Sequence, residues 1–199
     1  RTGSENDMKL GALQPGYLPW LGFFDQIEHC DVFILYDELP YTTDSWRNRN
    51  RIRMPQGWRW LTVPVVNQGI RHKTIRDIEI SEQGNWRRSH WRTIRNHYAR
   101  APFFPAHEAF FAHLYEKHWR YLIDLDVEVI SYLLRVLRIG TKILLASEEG
   151  LEVGYAHTRA ADRDPTGRVA FLCQWFGADR FLEGALGRDF MEPTRLDPY

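Results

Sequence analysis

The sequence predicts an α/β protein: an open, largely parallel sheet flanked by helices, with an antiparallel strand insertion. Two short apolar runs, residues 9–13 and 31–36, are joined by a loop and a short helical pattern, which makes a βαβ unit. A third apolar run, residues 142–146, follows three successive helical patterns. Between about residues 40 and 82 the pattern changes to strand-like stretches broken by Pro55-Gln56-Gly57, as in a hairpin.

The elements follow in chain order. Residues 9–13 are apolar and end in Gln14-Pro15-Gly16, so a first buried strand enters a loop there. Leu21, Phe24, Ile27 and Glu28 recur at helical spacing, with Gly22 weakening the start. Residues 31–36 place apolar side chains in succession between Asp31 and Asp37, the pattern of a strand buried on both faces. Residues 49–54 and 58–66 form the predicted hairpin, and 73–80 alternate imperfectly toward a further strand. Helices are expected over 85–100, 105–118 and 121–139, the last with a stripe of Leu122, Leu125, Val129, Leu133, Val136 and Leu137. Residues 142–146 read as strand, 167–176 as helix and 180–182 as a short strand.

The bulk composition suits one domain over residues 8–199. A hydrophobic share of 44% buries one ample core, and eight Trp, nine Tyr and eleven Phe favour aromatic-walled pockets. Cys30 and Cys173 are too few for a disulfide framework and sit in apolar surroundings as core thiols. No apolar run reaches membrane-spanning length and no signal-peptide core is present, so a cytoplasmic protein without membrane insertion is expected. Residues 1–7, small and polar with a Gly-Ser pair, read as a tag remnant before a native start at Met8. After Asp189 little core-forming material follows, as in a chain shortened at its C-terminus.

A net charge of zero conceals a basic middle. Residues 45–100 hold 13 Lys/Arg against 3 Asp/Glu, a balance of +10, while residues 1–44 carry −6 (2 against 8). Arg47, Arg49, Arg51 and Arg53 are spaced by two, so in an extended chain all four cations share a face. Such a face suits a polyanion or carboxylate; a solvated strand edge that resists aggregation is the plainer alternative.

Other candidates sit where open α/β sheets place ligands, beyond the carboxyl ends of strands. Gln14 supplies an amide after the first strand, and Tyr17 and Trp20 can wall a pocket in the Pro-stiffened loop. Asp37 follows the second strand and can act as a general base or pair with an arginine. Ser147 follows the 142–146 strand and lacks a nucleophile-elbow context, so it fits substrate hydrogen bonding. On the helix from residue 85, Trp86, His90, Thr93, Ile94 and His97 share a face. Partial burial among arginines would depress the His90 pKa and leave a neutral imidazole able to accept a proton, or else a satisfied core histidine. No histidine has companions at metal-ligand spacing, so no metal site is expected.

Several of these pieces, in this order, resemble the WbqC-like protein family. They are Leu13-Gln-Pro-Gly-Tyr-Leu-Pro-Trp-Leu-Gly-Phe-Phe24, Cys30-Asp-Val-Phe33, Trp46-Arg-Asn-Arg-Asn-Arg-Ile52 and Trp58-Arg-Trp-Leu-Thr-Val-Pro-Val65. Trp86-Arg-Arg-Ser-His90 and Tyr98-Ala-Arg-Ala-Pro-Phe-Phe104 continue the likeness, with a weaker tail in residues 177–184 and 187–190. By that resemblance Gln14, Tyr17, Pro19, Asn48, Arg49, Asn50, Thr62 and His90 occupy the family's motif positions. The resemblance implies an enzyme of surface-polysaccharide or related biosynthesis that attaches glycine or another acyl group to an amino sugar.

On that basis the expected acceptor is a free or nucleotide-linked amino sugar. The expected donor is an acyl thioester on coenzyme A or a carrier protein, or an aminoacyl-tRNA, used as co-substrate rather than as a bound cofactor. His90 or Asp37 would take the amine proton. Arg49 or Arg51 would hold a phosphate or carboxylate, Gln14 and Asn48 would contact hydroxyls or an oxyanion, and Tyr17 and Trp20 would stack. Asn50, Thr62 and Ser147 complete the candidate binding set. Another nucleotide-sugar or small-molecule transferase is the nearest alternative. A nucleic-acid-binding module built on residues 47–53 with Trp46, Trp58 and Trp60 is the rival from a different class, although pI ≈ 7.3 lacks a dedicated binder's basicity.

Overall fold

The computed structural model of the chain describes residues 7–158, 164–184, 191, 192, 194 and 196. Residues 1–6 of the expected tag segment and the 187–190 part of the family-like tail lie outside the described residues. The chain sorts into two compact units: residues 1–14, 20–38 and 133–199 form one, residues 15–19 and 39–132 the other.

The first unit is the α/β sheet. Strands β1 (Lys9–Leu13), β2 (Val32–Leu35), β5 (Lys142–Leu145) and β6 (Arg180–Leu182) lie in the order β5-β2-β1-β6, and every pair is parallel. Helix α1 (Leu21–Glu28) connects β1 to β2 and buries Phe23, Phe24 and Ile27. Central strands buried on both faces call for continuous apolar runs, and Phe33, Ile34 and Leu35 in β2 are buried in succession. Gly11 in β1 belongs to the same logic: a Cβ there would come within 2.7 Å of the Cys30 Sγ. Helix α6 (Pro165–Phe176) starts with Asp164, whose carboxylate accepts from the Gly167 N–H at 2.7 Å, and has Pro165 at its first position. Before it, the short helix α5 (Leu151–Tyr155) was not legible in the sequence, because Gly150 and Gly154 dilute its signal.

The second unit carries the insertion. Strands β3 (Arg49–Met54) and β4 (Gly57–Thr62) pair antiparallel from Arg49↔Thr62 to Met54↔Gly57. Gly57, at φ +126°, takes the backbone conformation the turn requires. Helices α2 (Trp86–Tyr98) and α3 (Phe104–Glu116) pack against each other, and α4 (Leu122–Leu137) passes from this unit into the first at residue 133.

Residues 73–80 correct the sequence expectation. They make no strand ladder but a tight helical turn at Ile75–Asp77, preceded by another at Ile70–His72, with the single bridges Pro40↔Thr74, Val65↔Ile80 and Glu79↔Tyr121. Ile75 and Ile78 are both fully buried, and that spacing of three suits a 3₁₀ turn rather than strand alternation.

Candidate functional site

The candidate residues divide between the units. Gln14, Trp20, Asp37 and Ser147 belong to the first; Tyr17, Asn48, Arg49, Asn50, Arg51, Thr62 and His90 belong to the second.

In the first unit the structure brings Asp37 and Ser147 together. Asp37, just past β2, is buried, and its two oxygens accept from the Ser147 N–H at 3.0 Å and the Ser147 Oγ–H at 2.6 Å. Both residues follow neighbouring parallel strands, so the sheet itself delivers them to each other. Glu38 accepts from the Glu152 N–H at 3.3 Å. Trp20 is 73% exposed, and its ring lies where a Cβ on Gly22 would stand.

In the second unit a buried hydrogen-bond chain links loop, helix and hairpin. The Tyr17 hydroxyl lies 3.0 Å from His90 Nδ1 and makes a short hydrogen bond with the Tyr115 hydroxyl. His90 also bonds to the Thr62 backbone carbonyl, which makes that ring nitrogen the donor and leaves Nδ1 to accept from Tyr17. Tyr17, His90 and Tyr115 are all buried, and Trp86 packs edge-on against His90 at 5.3 Å. Burial drives the His90 pKa down to about 4, with Arg59 adding to the fall, so the imidazole is neutral at physiological pH. Burial, helped by Tyr115 and Asp126, holds the Tyr17 hydroxyl well above its ordinary range. His97, expected on the same face of α2, is exposed.

The two asparagines hold backbone. Asn48 is buried and donates to the Val63 carbonyl at 2.8 Å, while Asn50 donates to the carbonyls of Leu18 at 2.6 Å and Tyr17 at 3.3 Å. Gly16 allows this loop to approach: a Cβ there would stand 2.7 Å from the Trp46 carbonyl oxygen.

The arginine ladder is partly as the spacing predicts. The β3–β4 register sets Arg49, Arg51 and Arg53 opposite Thr62, Trp60 and Trp58, so three cations share a face with two indoles. Ile52 and Leu61 are buried on the other face. The Arg51 guanidinium lies 4.2 Å from the Trp58 ring, 4.7 Å from Trp60 and 5.5 Å from Trp46, and donates no hydrogen bond among the described residues. Arg49 stacks at 4.7 Å on Trp60 and pairs with Asp44 at 3.3 Å. Trp46 and Trp58 remain 50% and 55% exposed. Arg47 departs from the expected face because the strand begins only at Arg49. Its Nη1 donates to the Pro15 carbonyl at 3.1 Å, and burial lowers its pKa.

Two functional-looking residues escaped the sequence reading. Tyr115 completes the buried chain from a helix stripe that otherwise looks like core. Asp126, in α4, is 0% exposed, and neither carboxylate oxygen has a hydrogen-bond partner among the described residues. Burial raises its pKa well above the ordinary value, with Arg47 opposing. Its signal was present: an acid four residues after Leu122 and three before Val129 falls within the apolar stripe.

Among the described residues no group of three or more His, Cys, Asp or Glu could hold a metal ion, and no helix is long and apolar enough to cross a membrane. No solved structure matches the chain. It is similar to the uncharacterized protein Rv1507c of Mycobacterium tuberculosis (strain ATCC 25618 / H37Rv), with 33% identity over 190 residues, covering 95% of this chain and 78% of that protein. The model of the WbqC-like protein family matches residues 14–198, nearly the whole length. The chain belongs to the WbqC-like protein family.

Proposed function

We propose that this protein is a cytoplasmic transferase of surface-polysaccharide or related biosynthesis that attaches a glycyl or other acyl group to an amino sugar. The observation that carries the recognition half is Arg51. Its guanidinium lies against three indole rings with its N–H donors unspent among the described residues. A planar cation beside exposed indoles suits a phosphate next to a sugar or base, as in a nucleotide-linked amino sugar or a phosphopantetheine donor. Arg49, held by Asp44 and Trp60, widens the same positive face.

In the transfer, the neutral amine nitrogen forms a bond to the acyl carbon. The carbon–sulfur bond of a thioester, or the ester bond of an aminoacyl donor, breaks with its electron pair on the leaving group. The amine's surplus proton passes to a base. His90 and Asp37 are the proton acceptors to test. Geometry ranks positioning first for both, since the ring nitrogens of one and the carboxylate oxygens of the other already hold partners. In that role His90 fixes Tyr17, and Asn48 and Asn50 hold the loop and hairpin that present Arg51.

The deciding experiment incubates the protein with amino-sugar nucleotides and glycyl or acyl thioesters, or aminoacyl-tRNA, and follows product mass. An increase equal to the acyl group on the sugar supports amide formation. Absence of product with every donor class defeats it. The exposed indoles of Trp46 and Trp58 also favour a second reading, single-stranded nucleic-acid binding, in which bases stack on the same platform. Affinity for mixed oligonucleotides that falls steeply with salt supports that alternative.

A further inference from the structure

We propose that Arg51 and Arg53, neighbours on the exposed face of the β3–β4 hairpin, grip the two phosphates of a nucleoside diphosphate whose base stacks on Trp46. This rests on Arg51 being a phosphate ligand, as proposed above, and deepens it. It adds Arg53, sets the number of phosphates and gives the base a place.

The number of phosphates follows from which cations are open. Residues 45–66 hold five arginines and no acidic residue, so no acid within that segment neutralises its charge. Arg47 is turned to the Pro15 carbonyl, and Arg59 pairs with Ile52 on the other face of the ladder. Arg49 donates to both the carboxylate and the carbonyl of the exposed Asp44. Arg51 and Arg53 remain, and among the described residues neither guanidinium donates a hydrogen bond or joins an ion pair. They lie two residues apart on one face, about 6.6 Å along a strand. Side chains of that length converge readily on linked phosphates, one planar fork to each. A diphosphate diester carries one negative charge for each open guanidinium. A longer polyanion meets the Asp44 carboxylate at the Arg49 end of the face.

The place of the base follows from the rings. Trp58 stands opposite Arg53 in the register and 4.2 Å from the Arg51 guanidinium, so it lies between the two cations. Trp46 reaches the face from outside the ladder, 5.5 Å from the Arg51 guanidinium and 5.1 Å from the Trp60 ring. Trp60 lies one step nearer Arg49 than Trp58 does, so Trp46 extends the face on the side away from Arg53. Its indole is half exposed and open to a planar base. The strand beneath is anchored: the Arg53 N–H donates to the Tyr98 hydroxyl at 2.9 Å, and the Asn50 amide donates to the Leu18 carbonyl at 2.6 Å.

Two sources carry this chemistry, a nucleotide-linked amino sugar and coenzyme A, whereas the phosphopantetheine of a carrier protein has a single phosphate. Binding alone tests the assignment, so it is separate from the transfer reaction. Titration calorimetry of the whole chain with ADP, GDP, CDP and UDP, each separately, should show saturable one-site binding for at least one. The matching nucleoside monophosphate should bind at least about tenfold more weakly, having lost one charge-assisted contact. Arg53→Ala should erase that difference by weakening the diphosphate alone, and Arg53→Lys should restore part of it. Trp46→Ala should weaken the nucleotides and spare inorganic pyrophosphate. Both side chains are exposed, so these variants should keep the parent's melting temperature. Displacement of the bound nucleotide by coenzyme A identifies the donor as the source; displacement by the hexosamine conjugate of that nucleotide identifies the acceptor. Failure of all four diphosphates to bind, displacement by neither source, or unchanged diphosphate affinity in Arg53→Ala overturns the inference. A monophosphate that binds as tightly, and is lost in Arg51→Ala, overturns the diphosphate assignment while leaving Arg51 as a phosphate ligand. Affinity that climbs with oligonucleotide length also overturns it, and gives the face to single-stranded nucleic acid.

Discussion

The hydroxyl of Tyr17 stands 3.0 Å from Nδ1 of His90, an imidazole that burial keeps neutral inside the second unit. A histidine whose folded pKa lies near 4, below its ordinary 6.5, contributes stability that is fully present above 6.5 and is lost as pH falls through 4. Full expression of that difference corresponds to about 3 kcal/mol. The protein should therefore lose thermal stability between pH 6.5 and 4, and His90→Gln should flatten that part of the profile. Parallel profiles for the two proteins, followed by circular dichroism, would show that His90 is not the group protonated.

Asp126 gives the opposite sign. Its raised folded pKa means that protonation favours the folded state, so its contribution declines as pH rises above the ordinary carboxyl range. Asp126→Asn keeps the shape and removes the ionisable group. The variant should be at least as stable as the parent at pH 7, with the difference shrinking toward pH 4. Marked destabilisation at pH 7 in urea titrations would instead mean that Asp126 is ionised and compensates Arg47.

Much of this was legible in the sequence, for identifiable reasons. The parallel strands announced themselves because strands buried on both faces need unbroken apolar runs, as in residues 32–35. The hairpin face was readable because period-two spacing survives in the β3–β4 register. Arg47 was misjudged because the same spacing continues past the point where the strand begins. Residues 73–80 were misjudged because isoleucines three apart resemble an imperfect strand when only the sequence is seen. The Tyr115 link to Tyr17 and His90 lay beyond periodicity altogether, since it joins a loop and two helices far apart in the chain.

Asp37 and Ser147 predict a structural cost. The Ser147 hydroxyl donates to a buried carboxylate at 2.6 Å, so Ser147→Ala leaves that oxygen short of a partner. A loss of about 1–3 kcal/mol is expected in equilibrium unfolding. An unchanged midpoint would show that solvent replaces the hydroxyl freely and that Asp37 is accessible for proton transfer.

Arg51 separates ligand recognition from surface solvation. Its guanidinium touches Trp46, Trp58 and Trp60 on an exposed face, so its removal costs the fold only surface cation–π contacts, worth about 0.5–1 kcal/mol each. If the same guanidinium grips a phosphate, Arg51→Ala should weaken a nucleoside-diphosphate amino sugar about tenfold or more, since charged hydrogen bonds contribute about 1.5–3 kcal/mol. Arg51→Lys should recover part of that loss, because the charge returns without the planar fork that matches phosphate. Trp58→Ala, which removes the ring nearest the guanidinium, should weaken the same ligand while leaving inorganic phosphate less affected. Calorimetry on the three variants decides the matter. Equal affinity across all of them would leave residues 49–53 as a solvated strand edge and move recognition elsewhere in the protein.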